Sequence, residues 1–447
     1  MDRVLDELGR VGINAISTTP QVATPARPGR GKRFPPLHVD GHARVVARPL
    51  WGRHELDLEL FDAYTPDLDL YRGSTYGPRS AELPEGVDGE AFSRLVSETK
   101  RRGIELHLQV QPLLPPGLSD EDRPVYIDGT RPGPPMVADH SCVNSPAAQA
   151  YGLALVEDVV TRFEPDGLFM DWVEFGAYRM RDNFTCFCAH CEAQSARFGL
   201  DADTMRRDVS RLWERLHALT SADLRLARST FRDPAALADM LVRYPGVASL
   251  LELKARSVLA FYRDVRRLLD GLGRGSTQLA ARGWPPPWSR SSGMDYGALA
   301  DVCHSVTPKL FTFDYSALPT WYGQQLVAWN PHLTEGEVLD ALVECMHLDD
   351  DIAPRTFDRY RIPGPEELHP ARLEVYRDRI DDVAGRIEGR ARCYPFAHAY
   401  LPDAQWETMV SLVRKSRADG MWVQMYAYLS DSKVEILRRG WQEAVRA

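Results

Sequence analysis

Two patterns alternate along the chain. Stretches with apolar positions every three or four residues, the helical period, give way near a Gly to short apolar runs of the kind that form buried strands. A helix predicted over 2–9 leads to Gly12-Ile13-Asn14-Ala15-Ile16-Ser17, and one over 89–102 leads to Gly103-Ile104-Glu105-Leu106-His107-Leu108-Gln109-Val110. A third, over 145–163, leads to Asp166-Gly167-Leu168-Phe169-Met170-Asp171-Trp172. A long helical stretch at 202–272 precedes Thr277-Gln278-Leu279-Ala280-Ala281, and a helix at 296–303 precedes a strand at 309–314. Helix 335–346 comes before a strand at 392–398, helix 403–418 before one at 420–426, and helix 431–445 follows.

Repeated helix-to-strand steps with no Gly-rich phosphate loop after the first strand predict an α/β fold. The form favoured is a closed (β/α)8 TIM barrel over a doubly wound sheet. Seven strands are counted where eight are needed, and the missing one is the first, because the chain starts inside what would be the helix after strand 1. Counting therefore runs from strand 2 to strand 8. Either the start is truncated or an inserted segment such as Ala43-Arg44-Val45-Val46-Ala47 closes the wall.

The length of 447 residues would allow two or three ordinary domains, but the βα rhythm assigns 1–447 to a single barrel with two insertions. Residues 18–88, rich in Pro, Gly and Arg, follow strand 2 on the end where barrels carry their active sites, which suits a lid or substrate wall. Residues 200–272 read as a helical insertion after strand 4.

A net charge of −9 argues against a sequence-independent grip on nucleic acid, which needs a net basic face. No run approaches the ~18 apolar residues of a membrane span, and the acidic, amphipathic start lacks a signal-peptide pattern, so the cytoplasm is the expected compartment. Only six Lys (32, 100, 254, 309, 415 and 433) stand among 54 basic residues, an Arg bias that codon usage explains without a phosphate-binding role.

Cys186, Cys188 and Cys191 lie at C-x-C-x-x-C spacing, close enough to share one tetrahedral Zn²⁺. Cys142, just after strand 3, is placed to supply the fourth ligand, with His140 and His190 as weaker candidates. Four thiolates leave no open coordination position, so such a zinc would be structural. Buried thiols without metal fit the same spacing.

Barrel chemistry projects from the C-terminal ends of strands. Those ends supply Asp171 and Glu174 on strand 4, Asp314 on strand 6, His398 and Tyr400 on strand 7, and Gln424 and Tyr426 on strand 8. An apolar strand finishing in an acid is poorly explained by core packing, whereas glycosidic-bond cleavage needs two carboxyl groups across the scissile bond. Asp171 and Asp314 are the expected pair, with Glu174 as a rival acid. Trp172, Trp284, Trp288, Trp321, Tyr322, Trp329 and Trp422 crowd the same ends, and their flat faces suit sugar rings. His107 and His398 fit either interior histidines or sugar-hydroxyl contacts. The triplet Asp349-Asp350-Asp351 reads as a solvated loop or helix cap in preference to a cation site.

The run from His140 to Asp171, in which Asn144-Ser145-Pro146 starts a helix and Asp166-Gly167-Leu168-Phe169-Met170-Asp171 ends a strand, resembles the middle of glycosyl-hydrolase-like barrels related to the α-amylase superfamily. The cysteine pattern is similar to the zinc cluster of family 42 β-galactosidases, which implies Cys142, Cys186, Cys188 and Cys191 as ligands. The galactosidase catalytic pair does not transfer: Val173 stands before Glu174 where the family has Asn-Glu, and strand 7 ends in His398 with no Glu nearby. Acids on strands 4 and 6 are instead similar to barrel α-glycosidases related to α-galactosidases, which implies Asp171 as nucleophile and Asp314 as acid/base. The expected partner is an oligosaccharide or glycoside, with self-association into a homo-oligomer left open. The rival readings are a lyase or isomerase acting on a modified sugar, with His398 and Tyr426 moving protons, and a non-catalytic carbohydrate-binding barrel.

Overall fold

A computed structural model describes the chain except for residues 28–30, 36–44, 81–82, 84, 87, 134–137, 231–232, 365 and 443–447. Its strands are β1 (Ala15–Thr18), β2 (Gln21–Pro25), β3 (Lys32–Phe34), β4 (Leu56–Asp62), β5 (Glu105–Val110) and β6 (Gly167–Met170). They continue with β7 (Gln278–Gly283), β8 (Ser305–Leu310), β9 (Arg392–Cys393), β10 (Phe396–His398) and β11 (Trp422–Gln424). The order β1-β5-β6-β7-β8-β10-β11 makes one parallel sheet, and β9 pairs with the lower part of β8.

The sheet curls, and the side chains show why. Alternate residues of each strand point to opposite faces. Leu106, Leu108, Leu168, Met170, Leu279, Ala281 and Val306 are buried on one side. The other set meets across the concave side. Trp422 of β11 packs edge-on to Phe169 of β6 with ring centroids 4.6 Å apart and to His107 of β5 at 5.1 Å. Strands four and five places apart in the order can touch only if the sheet wraps into a barrel-like trough. Among the described residues no ladder joins β11 to β1. The predicted closing strand at 43–47 lies partly outside the described residues, and its remainder, 45–47, is not a strand.

That same segment nevertheless reaches the seam. Arg48 N–H donates to the Ala427 carbonyl at 2.9 Å, and its guanidinium binds Glu7 at 2.7 Å, Asp431 at 2.9 Å and the Leu429 carbonyl. Glu7 also accepts from the Tyr426 hydroxyl at 2.8 Å. Glu7 belongs to the first helix, Asp2–Arg10, so one guanidinium ties that helix to the far edge of the sheet.

Local signals account for most helix boundaries. Pro146–Phe163 begins behind Ser145, whose hydroxyl accepts from the Ala148 N–H, and Ala91–Arg102 ends at Gly103 in the left-handed region at φ 65°. Several helices depart from the expected pattern, among them Ala189–Arg197, which carries Cys191, and two longer ones. Thr312–Trp329 occupies a stretch read as strand end and aromatic loop, and Glu374–Ile387 fills the gap before β9. The first, with Pro319 inside it, has polar residues scattered around its circumference and most of its side chains buried, so it has no amphipathic stripe to detect. Residues 18–88 carry the antiparallel sheet β2-β4-β3, and 200–272 carry helices Ala202–Leu216, Ser221–Thr230, Pro234–Arg243 and Pro245–Gly271. No helix among the described residues is long and apolar enough to cross a membrane.

Gly167 opens β6 directly against His107, and a Cβ there would stand 2.2 Å from His107 Nδ1. His107 is itself buried and has no room to yield. Gly167→Ala is therefore expected to cost about 1–3 kcal/mol, read as a lowered midpoint in thermal or urea unfolding.

Candidate active site and cysteine cluster

Asp171 follows β6 immediately, and its backbone N–H extends the sheet by donating to the Val110 carbonyl at 2.9 Å. The next residue, Trp172, sits at φ 63°, a left-handed conformation that a bulky residue adopts only under local constraint. The turn it makes brings Glu174 back over the barrel, so that both acids reach one cation. Lys309, on the inner side of β8, lies 2.6 Å from Glu174 Oε1 and 3.5 Å from Asp171 Oδ1. Its ammonium also stands 4.9 Å from the centre of the Trp172 ring.

The two acids are held differently. Glu174 is 2% exposed; one oxygen accepts from Lys309 and the other from the Trp284 N–H at 3.2 Å. Burial pushes its carboxyl above the usual glutamate range, partly countered by Lys309. Burial also works against the charge on Lys309, but Glu174 and Asp171 together outweigh it and hold its pKa above the usual lysine value. Asp171, 7% exposed, accepts at Oδ2 from Gln109 Nε2 at 3.1 Å, while Oδ1 has no hydrogen-bond partner.

Below Asp171 stands a second buried cation. Arg282 of β7 lies with its guanidinium 4.5 Å from the Phe169 ring centre and 3.9 Å from that of Phe396, donates to Gln109 Oε1 at 2.8 Å, and comes within 3.8 Å of Asp171 Oδ2. Two acids and two cations thus share the barrel mouth. Tyr178 lies beside them, and burial, reinforced by Asp314, Glu174 and Asp171, raises its phenol well above the ordinary value. The hydroxyl is therefore a proton-bearing donor at any ordinary pH. Trp172 and Tyr178 line a cleft with His140, Gly176, Arg179 and Asp182, and with Arg123, Pro124 and Asp139.

The remaining predicted residues divide. Asp314 is buried near Tyr178, as that phenol's response shows, but β8 stops at Leu310, and Asp314 lies in the first turn of helix Thr312–Trp329 instead of on the strand. Trp284 packs edge-on to Tyr178 at 4.9 Å. Trp288 is buried and stacks on Tyr315 at 5.1 Å with an interplanar angle of 3°. His107 lies low in the barrel beside Glu105, its pKa lowered by burial. His398 is buried among Phe311, Phe313 and Tyr428, and Tyr400 donates to the Pro363 carbonyl at 3.2 Å. Gln424 is partly buried at the seam edge, next to Tyr426, which is engaged by Glu7 and lies under Arg48 at 4.5 Å. Trp321, Tyr322 and Trp329 are helical, not loop residues, and Trp329 packs on Trp213 and His217 of the helical insertion.

Gln109, Tyr178, Arg282 and Lys309 were not anticipated. Three had a readable signal: Gln109, Arg282 and Lys309 are polar residues within strands, on the same alternation as their inward neighbours. Tyr178, in an irregular loop, had none.

The four predicted thiols converge. Their sulfurs all lie within 4.8 Å of one another, with Cys142 3.4 Å from both Cys188 and Cys191 and 3.8 Å from Cys186. A tetrahedron with ~2.3 Å metal–sulfur bonds has sulfur–sulfur edges of about 3.8 Å, so the spacing fits a single ion. Three N–H groups already point at sulfur, from Val125 to Cys186 at 3.4 Å, from the Asn144 backbone to Cys142 at 3.4 Å, and from Asn144 Nδ2 to Cys191 at 3.2 Å. Such donors suit thiolates. His190 turns to Asp122 at 3.3 Å, and His140 stacks on Trp172 at 6.4 Å. Cys142 and Cys186–Cys191 bracket the segment that carries Asp171, Glu174 and Tyr178.

No protein-family model matches the chain, and no curated protein matches it. Among solved structures, it is similar to the PgaB (BpsB) glycoside hydrolase domain from Bordetella bronchiseptica, with 14% identity, a TM-score of 0.45, and 82% of this chain and 83% of that one covered. It is also similar to a β-galactosidase from the psychrophilic Marinomonas ef1 (10% identity, TM-score 0.47, 81% of this chain and 53% of that one). A third is the catalytic domain of the β-amylase from Paenibacillus polymyxa (8% identity, TM-score 0.45, 80% and 87%).

Removing Lys309 alone would strand Glu174 as a buried, uncompensated acid. Lys309→Met is expected to destabilise the fold by about 3–5 kcal/mol, and the double variant Lys309→Met/Glu174→Leu to recover most of that loss in denaturant titrations.

Proposed function

We propose that this chain is a glycoside hydrolase of the (β/α)8 barrel type that acts on an oligosaccharide or glycoside. Asp171 serves as nucleophile or electrostatic stabiliser of an oxocarbenium-like transition state, and Asp314 as acid/base. The observation that carries this reading is the state of Asp171: a carboxylate just past the C-terminal end of a barrel strand, held at Oδ2 by Gln109 and set 3.5 Å from the Lys309 ammonium at Oδ1. A nucleophile or electrostatic stabiliser needs its position held in this way.

Glu174 does not compete for the acid's role. Both of its oxygens accept, from Lys309 and from Trp284 N–H, so it has no proton poised toward the cleft and serves to balance charge. Tyr178 and Trp172, on the cleft wall, offer a hydroxyl donor and a flat face to a sugar. The engagement of Tyr426 by Glu7 and Arg48 and the enclosure of His398 by aromatic rings favour hydrolysis over a lyase or isomerase reaction that would use these two for proton transfer.

The four cysteines are read as ligands of one structural Zn²⁺, similar to the cluster of family 42 β-galactosidases. Bound there, zinc would fasten both ends of the Asp171–Tyr178 segment and take no part in bond cleavage.

Screening aryl glycosides and oligosaccharides in H₂¹⁸O, with mass detection of ¹⁸O in the released sugar, tests hydrolysis directly. Asp171→Asn is expected to lower kcat on any substrate found by about a thousandfold or more, equivalent to roughly 4 kcal/mol; full activity in that variant would remove the assignment. Metal analysis of the purified protein is expected to give one zinc per chain, lost in Cys188→Ser together with a drop in Tm. Less than one equivalent, unchanged by that substitution, would refute the zinc site.

A further inference from the structure

We infer that Arg282 and Gln109 form a positioning relay that sets the orientation and charge of Asp171. The inference rests on the proposed role of Asp171 but concerns residues that reading does not use.

The interior of a barrel is ordinarily filled by apolar side chains in layers. Here the layer beneath Asp171 contains a guanidinium that is 1% exposed, with Nε and Nη2 lacking hydrogen-bond partners. Burying such a group is costly unless it is paired, and apolar residues would pack β7 against Phe169 and Phe396 at least as well. The guanidinium's one hydrogen bond goes to Gln109, and this bond fixes the amide. A guanidinium can only donate, so Gln109 Oε1 is the acceptor at 2.8 Å and Gln109 Nε2 must be the donor to Asp171 Oδ2 at 3.1 Å. Arg282 thereby orients the amide that holds one oxygen of Asp171, and its own Nη1 stands 3.8 Å from that same oxygen. A direct two-pronged Arg–Asp pair would occupy both oxygens; with the amide taking the short contact, Oδ1 faces Lys309 at 3.5 Å.

Asp171 is faced by Lys309 from β8, Arg282 from β7, Glu174 and Tyr178 from its own loop, and Tyr262 from helix Pro245–Gly271, whose hydroxyl donates to the Met170 carbonyl at 3.3 Å. Gln109, which stands beside these groups, is the residue whose exchange changes the hydrogen bond to Asp171 without adding or removing a cation.

The test uses the full-length protein and two variants. Gln109→Glu keeps an acceptor for Arg282 but faces Asp171 with a second carboxylate, and Gln109→Met keeps the volume and removes both bonds. In Gln109→Glu the acid limb of the pH–rate profile is expected to move up by about one unit, because a neighbouring negative charge disfavours ionisation. In both variants kcat is expected to fall about tenfold to hundredfold with KM within about twofold, the mark of an interaction used in the transition state. A second readout needs no substrate: with ¹³C-aspartate, the infrared carboxylate band that disappears in Asp171→Asn is expected to shift in Gln109→Met. A pH–rate profile and band identical to the parent in both variants would overturn the relay. If Asp171→Asn keeps full turnover, the hydrolase reading fails by itself, and the relay is then decided by the band, which supports it by moving and refutes it by staying.

Discussion

The contact on which the barrel mouth depends is the ion cluster of Lys309 with Glu174 and Asp171. Three charged groups removed from water incur a large desolvation penalty, which is offset only when each has partners in good geometry. Glu174 meets that condition through Lys309 and the Trp284 N–H. The left-handed turn at Trp172 is its backbone counterpart, since without it Asp171 and Glu174 would leave the strand end in different directions. Strain at Trp172 and charge at Lys309 are two sides of one constraint, and together they fix where the loop from β6 must lie.

Around that constraint the protein arranges support at increasing distance. Arg282 and Gln109 hold Asp171 from below, and the cysteine cluster holds the ends of its loop from the side. Lys254, fully buried, reaches from helix Pro245–Gly271 to the carbonyls of Asn183 at 3.0 Å and Ser291 at 2.8 Å, joining the cysteine loop to the loop after β7. The aromatic residues at the strand ends serve mainly as walls. Trp288, Tyr315 and Tyr376 enclose the Arg379 guanidinium, 4.9–5.2 Å from their ring centres, and only Trp172 and Tyr178 of the aromatic set line the cleft.

Most of the sheet was legible in the sequence because β1, β5, β6, β7 and β11 obey a local rule, a Gly at or near the entry to a short strand, and because connecting helices are amphipathic; β8, entered through Cys303-His304 with no Gly, was placed four residues late. Cys142, Cys186, Cys188 and Cys191 were legible because spacing restricts thiols so tightly. Asp314 was found as a residue but misplaced, since an acid three residues past a strand reads the same whether the strand continues or a helix begins. Helix Thr312–Trp329 escaped notice for the reason that makes it central: with most of its side chains buried, its polar and apolar residues do not separate into two faces. Lys309 and Arg282 illustrate the other limit. Alternation reveals that they point inward, but what they meet there depends on β5 and β6, more than a hundred residues away in the chain.

The guanidinium of Arg48 has a consequence for how the molecule loosens. It joins the first helix through Glu7, the insertion through its own backbone, and the beginning of the last helix through Asp431 and Leu429. Three stretches remote in sequence are therefore one cooperative unit in which none can fray without releasing the others. The open edge of the trough is guarded by shared opening cost where a strand ladder would otherwise do it. Amide protons near residues 7, 48 and 427–431 should consequently exchange with solvent as a group, at a rate set by the loss of a single side chain's bonds.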